Sequence, residues 1–261
     1  MKAMRKIVIK VGTSTLTHGT QKLSRRHMLG LAQQIAHLQG RGLELLLVSS
    51  GAVATGRDLL NSYQSQPSKQ TCASIGQVKL MQIWSELFSL FDLQVGQVLL
   101  TKEDFSNQKR DITRNTLDCL LQHNIIPIIN ENDTVATKEL CVGNNDNLAA
   151  LVAKLIAADT VILLTDQEGL YTADPRLNPD AKLIPVVHHI DEQICALAGG
   201  SSTALGTGGM ATKIAAAQIA SESGTRTIIA SSSHPNVLID LVEGRRIGTL
   251  FLQGKKTCMQ I

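Results

Sequence analysis

Lys10 stands in an otherwise apolar run, Ile7-Val8-Ile9-Lys10-Val11, with Gly12, Thr13 and Ser14 directly after it. An ammonium in such a run is costly unless an anion meets it, although a lysine at a strand end can also snorkel to water. The glycine lets backbone approach closely and the two hydroxyls add donors, which is the chemistry a phosphoryl group needs. A second basic segment, Gly206-Thr207-Gly208-Gly209-Met210-Ala211-Thr212-Lys213, opens an alanine-rich helical stretch. Glycines before a helix leave its first N–H groups free, and the helix dipole favours an anion there. Ile214 follows the lysine, so the Walker A spacing fails, and no strand immediately precedes the segment, so the dinucleotide fingerprint fails too. Between them lie Asn130-Glu131-Asn132-Asp133 and Gly143-Asn144-Asn145-Asp146-Asn147. A single Asn or Asp there would be an ordinary helix N-cap. Two such clusters exceed what capping needs and suit a grip on the polar atoms of an amino acid. Ser49 and Ser50 lack the Gly-x-Ser-x-Gly elbow and a partner histidine, which argues against a serine hydrolase.

The elements that must position these groups alternate. Strand-like runs fall at 6–11, 43–48, 95–100, 125–129, 161–164, 227–230 and 249–252. Amphipathic helical stretches fall at 27–39, 77–91, 110–122, 147–157 and 210–223, with Gly40 and Gly224 as expected C-caps. The pattern predicts an α/β fold, a mainly parallel central sheet with helices on both faces. Ligands of such sheets bind beyond the carboxyl ends of the strands. Lys10–Ser14, Ser49–Ala52, Asn130–Asp133 and Thr165-Asp166 all follow strands, so they are expected to converge on one edge. The stretch 166–183, with Asp174-Pro175 and Asn178-Pro179 as turn markers, reads as an excursion between two halves of one domain.

Bulk properties exclude several classes. The 261 residues are 43% hydrophobic but only 3% aromatic, a core of aliphatic side chains suited to parallel strands. A net charge of +3 is too balanced to argue for nucleic acid or an anionic membrane, and no apolar run approaches the roughly 20 residues that span a bilayer. Five cysteines without a Cys-x-x-Cys spacing suggest neither zinc nor a disulfide framework, so a cytoplasmic protein with reduced thiols is expected. The seven histidines show no metal-ligand spacing, and His188 and His189 read as core or surface residues.

In order along the chain, Lys10–Ser14, Val48–Ala52, Ile129–Asp133, Gly143–Asn147, Leu164–Asp166, Gly169–Arg176 and Gly206–Lys213 resemble the segments of the glutamate 5-kinase group of the amino acid kinase family. The resemblance runs from Lys6 to about Leu252 and implies that family's three-layer α/β/α sandwich. It further implies one domain over 1–261, with an amino-acid-binding half at about 1–155 and a nucleotide-binding half at 156–261. By resemblance, Lys10, Lys213 and Asp146 are the catalytic groups, the carboxylate organising the two lysines. Ser50, Gly51, Asp133 and Asn145 would bind L-glutamate. Lys10, Gly12, Thr165, Asp166 and the run Thr207, Gly208, Gly209, Met210, Ala211, Thr212, Lys213 would bind ATP, with Mg²⁺ bridged by its phosphates and no protein metal site. A downstream glutamyl-phosphate reductase, feedback by proline and a homodimer or homotetramer are implied as well. Where the family usually has Gly-Asp-Asn-Asp-Asn, this chain has Asn144. That removes a carboxylate near the amino-acid site and keeps a kinase of another small carboxylate or carbamate as an alternative, beside a non-catalytic binding regulator. Many relatives carry a further C-terminal domain; with the sequence ending at Ile261, a short form without it is expected.

Overall fold

The structure, a computed structural model, describes residues 4–20, 22–61, 67–137, 139–198 and 209–252. Its strands are β1 (Lys6–Val11), β2 (Glu44–Ser49), β3 (Val95–Leu100), β4 (Ile126–Glu131), β5 (Thr160–Thr165), β6 (Val186–Val187), β7 (Arg226–Ser231) and β8 (Thr249–Phe251). The helices are α1 (Thr13–Thr17), α2 (Arg25–Gly40), α3 (Ala52–Leu59), α4 (Lys69–Ser89), α5 (Asn107–Gln122), α6 (Asn145–Leu155), α7 (Glu192–Leu197), α8 (Met210–Glu222) and α9 (Val237–Val242). The strands form one eight-stranded sheet in the order β3-β4-β2-β1-β5-β7-β8-β6. Pairing is parallel from β3 through β7; β8 joins β7 antiparallel and carries β6 alongside.

The strict alternation of β1 assigns each side chain to a layer. Ile7, Ile9 and Val11 join the core formed with α2, α4 and α9. Val8 lies in the opposite core, with α6 and α8. Lys10 shares the parity of Val8 and so faces α6 and α8. β1 lies between β2 and β5, wholly inside the sheet, and both of its faces are covered. That is why its sequence reads as an apolar run rather than an alternating one.

Several boundaries differ from the sequence expectation. Helix α6 begins two residues early, because Asn144 caps it by accepting the Asn147 N–H (2.9 Å). Asn145 and Asp146 therefore lie inside its first turn. Helix α4 begins at Lys69, eight residues before its apolar periodicity is evident; Ser68 caps it by accepting the Thr71 N–H. Gly40 is not the C-cap of α2 but its last residue, and the left-handed position falls on Gly42 (φ +83°). Gly224 does take up the left-handed conformation after α8 (φ +75°). The excursion after β5 folds back on itself, with Tyr171 and Leu183 in an antiparallel bridge and Thr172 N–H donating to Lys182 O (2.9 Å).

Helices α3 and α4 touch through glycine. A Cβ on Gly76 would lie 1.8 Å from Ala52 O, and one on Gly56 1.9 Å from Cys72 O. Neither glycine has a positive φ, so closeness alone demands it. This contact pins the Ser50-Gly51 turn, which opens α3, to the middle of α4. Gly76→Ala or Gly56→Ala should therefore destabilise the fold by roughly 3 kcal/mol, through overpacking against backbone. Gly30→Ala, in the interior of α2 with nothing within 4 Å of the added methyl, should stabilise by about 0.5–1 kcal/mol. Urea midpoints of the three variants check the contrast.

Candidate active site

Lys10 and Lys213 meet on one carboxylate. Lys10 Nζ lies 2.7 Å from Asp146 Oδ1 and Lys213 Nζ lies 3.1 Å from Asp146 Oδ2. Thr212 Oγ1 also donates to Oδ2 (2.7 Å). Asp146 is fully buried, and Lys10 and Lys213 are 6% and 3% exposed. β1 delivers Lys10 at its C-terminal end, α6 delivers Asp146 in its first turn, and α8 delivers Thr212 and Lys213 in its own. Gly12 leaves the space that Lys10 occupies, since a Cβ there would sit 3.2 Å from Lys10 Nζ.

Electrostatics in this trio are lopsided. Burial works to raise the Asp146 carboxyl, but Lys10, Lys213 and the Thr212 hydroxyl outweigh it and hold the group at about 2. Burial pushes the Lys213 ammonium down, with Lys10 adding to the effect and Asp146 opposing it. Two ammoniums and one carboxylate leave one net positive charge in a place where charge is costly to bury. Asp146 has its two oxygens committed to Lys10, Lys213 and Thr212. The arrangement is thus built to receive an anion, not a bare cation.

A chain of amides adjoins the trio through the next residue of α6. Asn145 Nδ2 donates to Ser50 Oγ (2.8 Å) and to Asn130 Oδ1 (2.9 Å). Asn130 Nδ2 donates onward to Gln77 Oε1 (2.9 Å). Gly51 makes the turn beside Ser50 with φ +107°, a conformation only glycine takes freely. Glu131, 7% exposed, ties down the loop that leads to α6 by accepting the Val142 N–H.

The other predicted groups are placed less tightly. Asp133 is paired with Lys69 of α4 at 2.8 Å. Thr165 ends β5 and Asp166 follows it, with the Thr165 hydroxyl donating to Asp166 Oδ1 (3.0 Å), and the Asp166 charge favours the Lys213 ammonium. Gly209 is the N-cap of α8, Met210 is buried and Ala211 is exposed on its first turn. Thr207 and Gly208 lie outside the described residues. Sequence reasoning passed over Gln77 and Lys69 and placed Asn130 only within the polar 130–133 cluster. Gly76, just before the helical stretch read at 77–91, did not signal its close contact, and nothing in the sequence marks Lys69. A cleft of about 550 Å³ between α2 and residues 232–236 belongs to the opposite layer and holds none of these groups.

Fold and site together define a phosphotransferase of a known kind. Residues 5–231 match the model of the Amino acid kinase family, and the chain belongs to that family. Solved structures agree on the fold: carbamate kinase from Giardia lamblia bound to AMP-PNP (TM-score 0.68, 16% identity, 97% of this chain and 99% of that one) is similar. So is UMP kinase from Ureaplasma parvum (TM-score 0.67, 14% identity, 97% of this chain and 100% of that one). Among curated relatives, glutamate 5-kinase of Pasteurella multocida (strain Pm70) is 52% identical over 255 residues, covering 96% of this chain and 70% of the relative. Glutamate 5-kinase of Enterobacter sp. (strain 638) is 50% identical over 250 residues, covering 94% of this chain and 68% of the relative.

The low Asp146 value has a consequence for stability. A carboxyl whose folded pKa lies below its ordinary 3.8 contributes stability that is present above about pH 4 and lost as pH falls towards 2. The contribution is about 2 kcal/mol. Asp146→Asn should be less stable at neutral pH, with two buried ammoniums and no counter-charge, and should lack this share of the acid loss. Urea unfolding of both proteins between pH 7 and pH 2.5 checks it; parallel curves would show that the carboxylate is not charged in the fold.

Proposed function

We propose that this chain transfers the γ-phosphoryl group of ATP to the side-chain carboxylate of L-glutamate, forming L-glutamyl 5-phosphate, the first step of proline synthesis. The observation that carries it is the convergence of Lys10 and Lys213 on the buried Asp146. The glutamate 5-kinases that share half of its residues direct the choice of acceptor.

A glutamate side chain has an ordinary pKa of about 4.3 and is already an ionised nucleophile at neutral pH. The obstacle is repulsion between that anion and the polyphosphate. Lys10 and Lys213 flank the group in transfer and neutralise the charge spread over its oxygens, which fixes position and lowers the barrier together. Asp146 holds both ammoniums in place. A useful general base has a pKa near the working pH, and at about 2 this carboxyl is far too weak a base to serve as one. Ser50, Gly51, Asp133 and Asn145 bind the amino acid. Gly12, Thr165, Asp166 and the first turn of α8 from Gly209 to Lys213 bind the nucleotide, together with Thr207 and Gly208. With both Asp146 oxygens engaged, the site suits a Mg²⁺ held by the nucleotide's phosphates, where the ion supplies further charge neutralisation.

The halves 1–155 and 156–261 then serve the amino acid and the nucleotide respectively, within one domain. The acyl phosphate product is unstable in water and calls for a reductase to consume it. Proline feedback, a homodimeric or homotetrameric assembly and a cytoplasmic location complete the proposal. No helix among the described residues is long and apolar enough to cross a membrane.

Hydroxylamine traps acyl phosphates as hydroxamates. With ATP and L-glutamate, aspartate or N-acetylglutamate, hydroxamate is expected from L-glutamate alone, and UMP, followed by ADP release, is expected to give nothing; product from another acceptor instead would replace the substrate, and none from any would remove the kinase. Lys213→Ala should lower kcat by at least about 100-fold, the worth of one charge-stabilising donor. Its unfolding midpoint should move little, because Lys10 still pairs with Asp146. A variant that unfolds instead would mark the lysine as structural.

A further inference from the structure

Gln77 lies on α4, 8% exposed, directly after the glycine that packs against α3. Its Oε1 accepts from Asn130 Nδ2, and its Nε2 has no hydrogen-bond partner among the described residues. The direction of the amide chain is forced from one end. The backbone N–H of Glu131 donates to Asn130 Oδ1 (2.9 Å), and a backbone N–H can only donate. Asn130 must therefore turn its oxygen towards Glu131 and Asn145 and its Nδ2 towards Gln77. Asn145 in turn spends its Nδ2 on Asn130 Oδ1 and Ser50 Oγ. Its Oδ1 is left buried, without a partner among the described residues.

We propose that Gln77 is a positioning residue that, together with the Glu131 N–H, holds the Asn130 amide from both sides and through it the Asn145 amide, and so presents Asn145 Oδ1 to the ammonium group of the amino-acid substrate. The proposal rests on the carboxylate-kinase function above. The neighbouring Asn144 Oδ1 is engaged as the cap of α6. An amide oxygen accepts a charge-assisted hydrogen bond from –NH₃⁺. A reversed amide would set its NH₂ against the ammonium. Without the Gln77 acceptor, Asn130 Nδ2 loses its partner and its orientation is held from one side only. The effect is confined to a substrate that carries an ammonium. Lys10, Asp146 and Lys213 do not touch Gln77, so phosphoryl transfer itself is left alone.

The test compares L-glutamate with glutarate, which keeps both carboxylates and lacks the amine, by hydroxamate formation. Gln77→Met keeps the length of the side chain and removes the acceptor. It is expected to raise the KM for glutamate about tenfold or more, the cost of one mis-set hydrogen bond to a charged group. The KM for ATP should stay within about twofold, and the preference for glutamate over glutarate should fall by the same tenfold factor. Gln77→Glu retains an acceptor oxygen in either protonation state and should keep the preference. An unchanged preference in Gln77→Met overturns the proposal. So does a parallel rise of both KM values with a lowered melting temperature, which would be a structural effect. Should Gln77→Met fail to fold, a Gln77→Glu protein that folds but loses the preference overturns it as well. If the unsubstituted enzyme forms hydroxamate from neither acid, the kinase function itself fails, and this proposal with it.

Discussion

Two ammonium groups compete for one carboxylate beneath the carboxyl edge of the sheet, and the rest of the site is arranged around that imbalance. A lone lysine in the middle of a covered sheet would be expelled or neutralised. Here Asp146 keeps Lys10 and Lys213 buried, while their combined charge exceeds its own. The surplus makes the site attractive to a polyanion and unattractive to a free cation. It also explains why the carboxyl is so acidic: protonating it would strand both ammoniums in a place water does not reach.

Three elements distant in the chain must be held to within a hydrogen bond of one another for this to work, and each has its own anchor. β1 is locked between β2 and β5 in parallel register. The start of α6 is fixed by the Asn144 cap, so that Asn145 and Asp146 leave the same turn in different directions. One reaches the side chains of Ser50 and Asn130, and the other reaches the two lysines. Adjacent residues on one helical turn thus join the amide chain to the lysine pair, with no loop between them to loosen the spacing. Helix α8 contributes Thr212 and Lys213 from its first turn, where the dipole reinforces their donors.

Much of this was legible beforehand. Lys10 betrayed itself as a cation in a buried run. The clusters at 130–133 and 143–147 were too polar for capping alone. The small and charged residues after the strands marked the sheet edge, because a parallel sheet exposes its strand ends only there. What escaped was whatever lacked a local pattern. The short helices α1, α3, α7 and α9 carry too few turns to show a period. The first two turns of α4 mix polar residues with Cys72, Ala73 and Ile75 and show no clear helical period, which hid Lys69. The pairing of Asp133 with Lys69 depends on two segments that only the fold brings together.

By itself, the sequence determined the alternation of strands and helices, the separation of Lys10 from Ile7 and Ile9 on opposite strand faces and the chemical character of the site. These follow from side-chain period and from the cost of burying charge, both of which act along a few neighbouring residues. Tertiary structure alone set the distances at which the two lysines share Asp146, a carboxylate that only the family resemblance had named, and decided that Asn144 is spent on a helix cap. It also decided that Gln77 and Asn130 continue the amide chain from Asn145. Such pairings depend on distances of a few ångströms between residues far apart in the chain, and no local pattern encodes a distance of that kind.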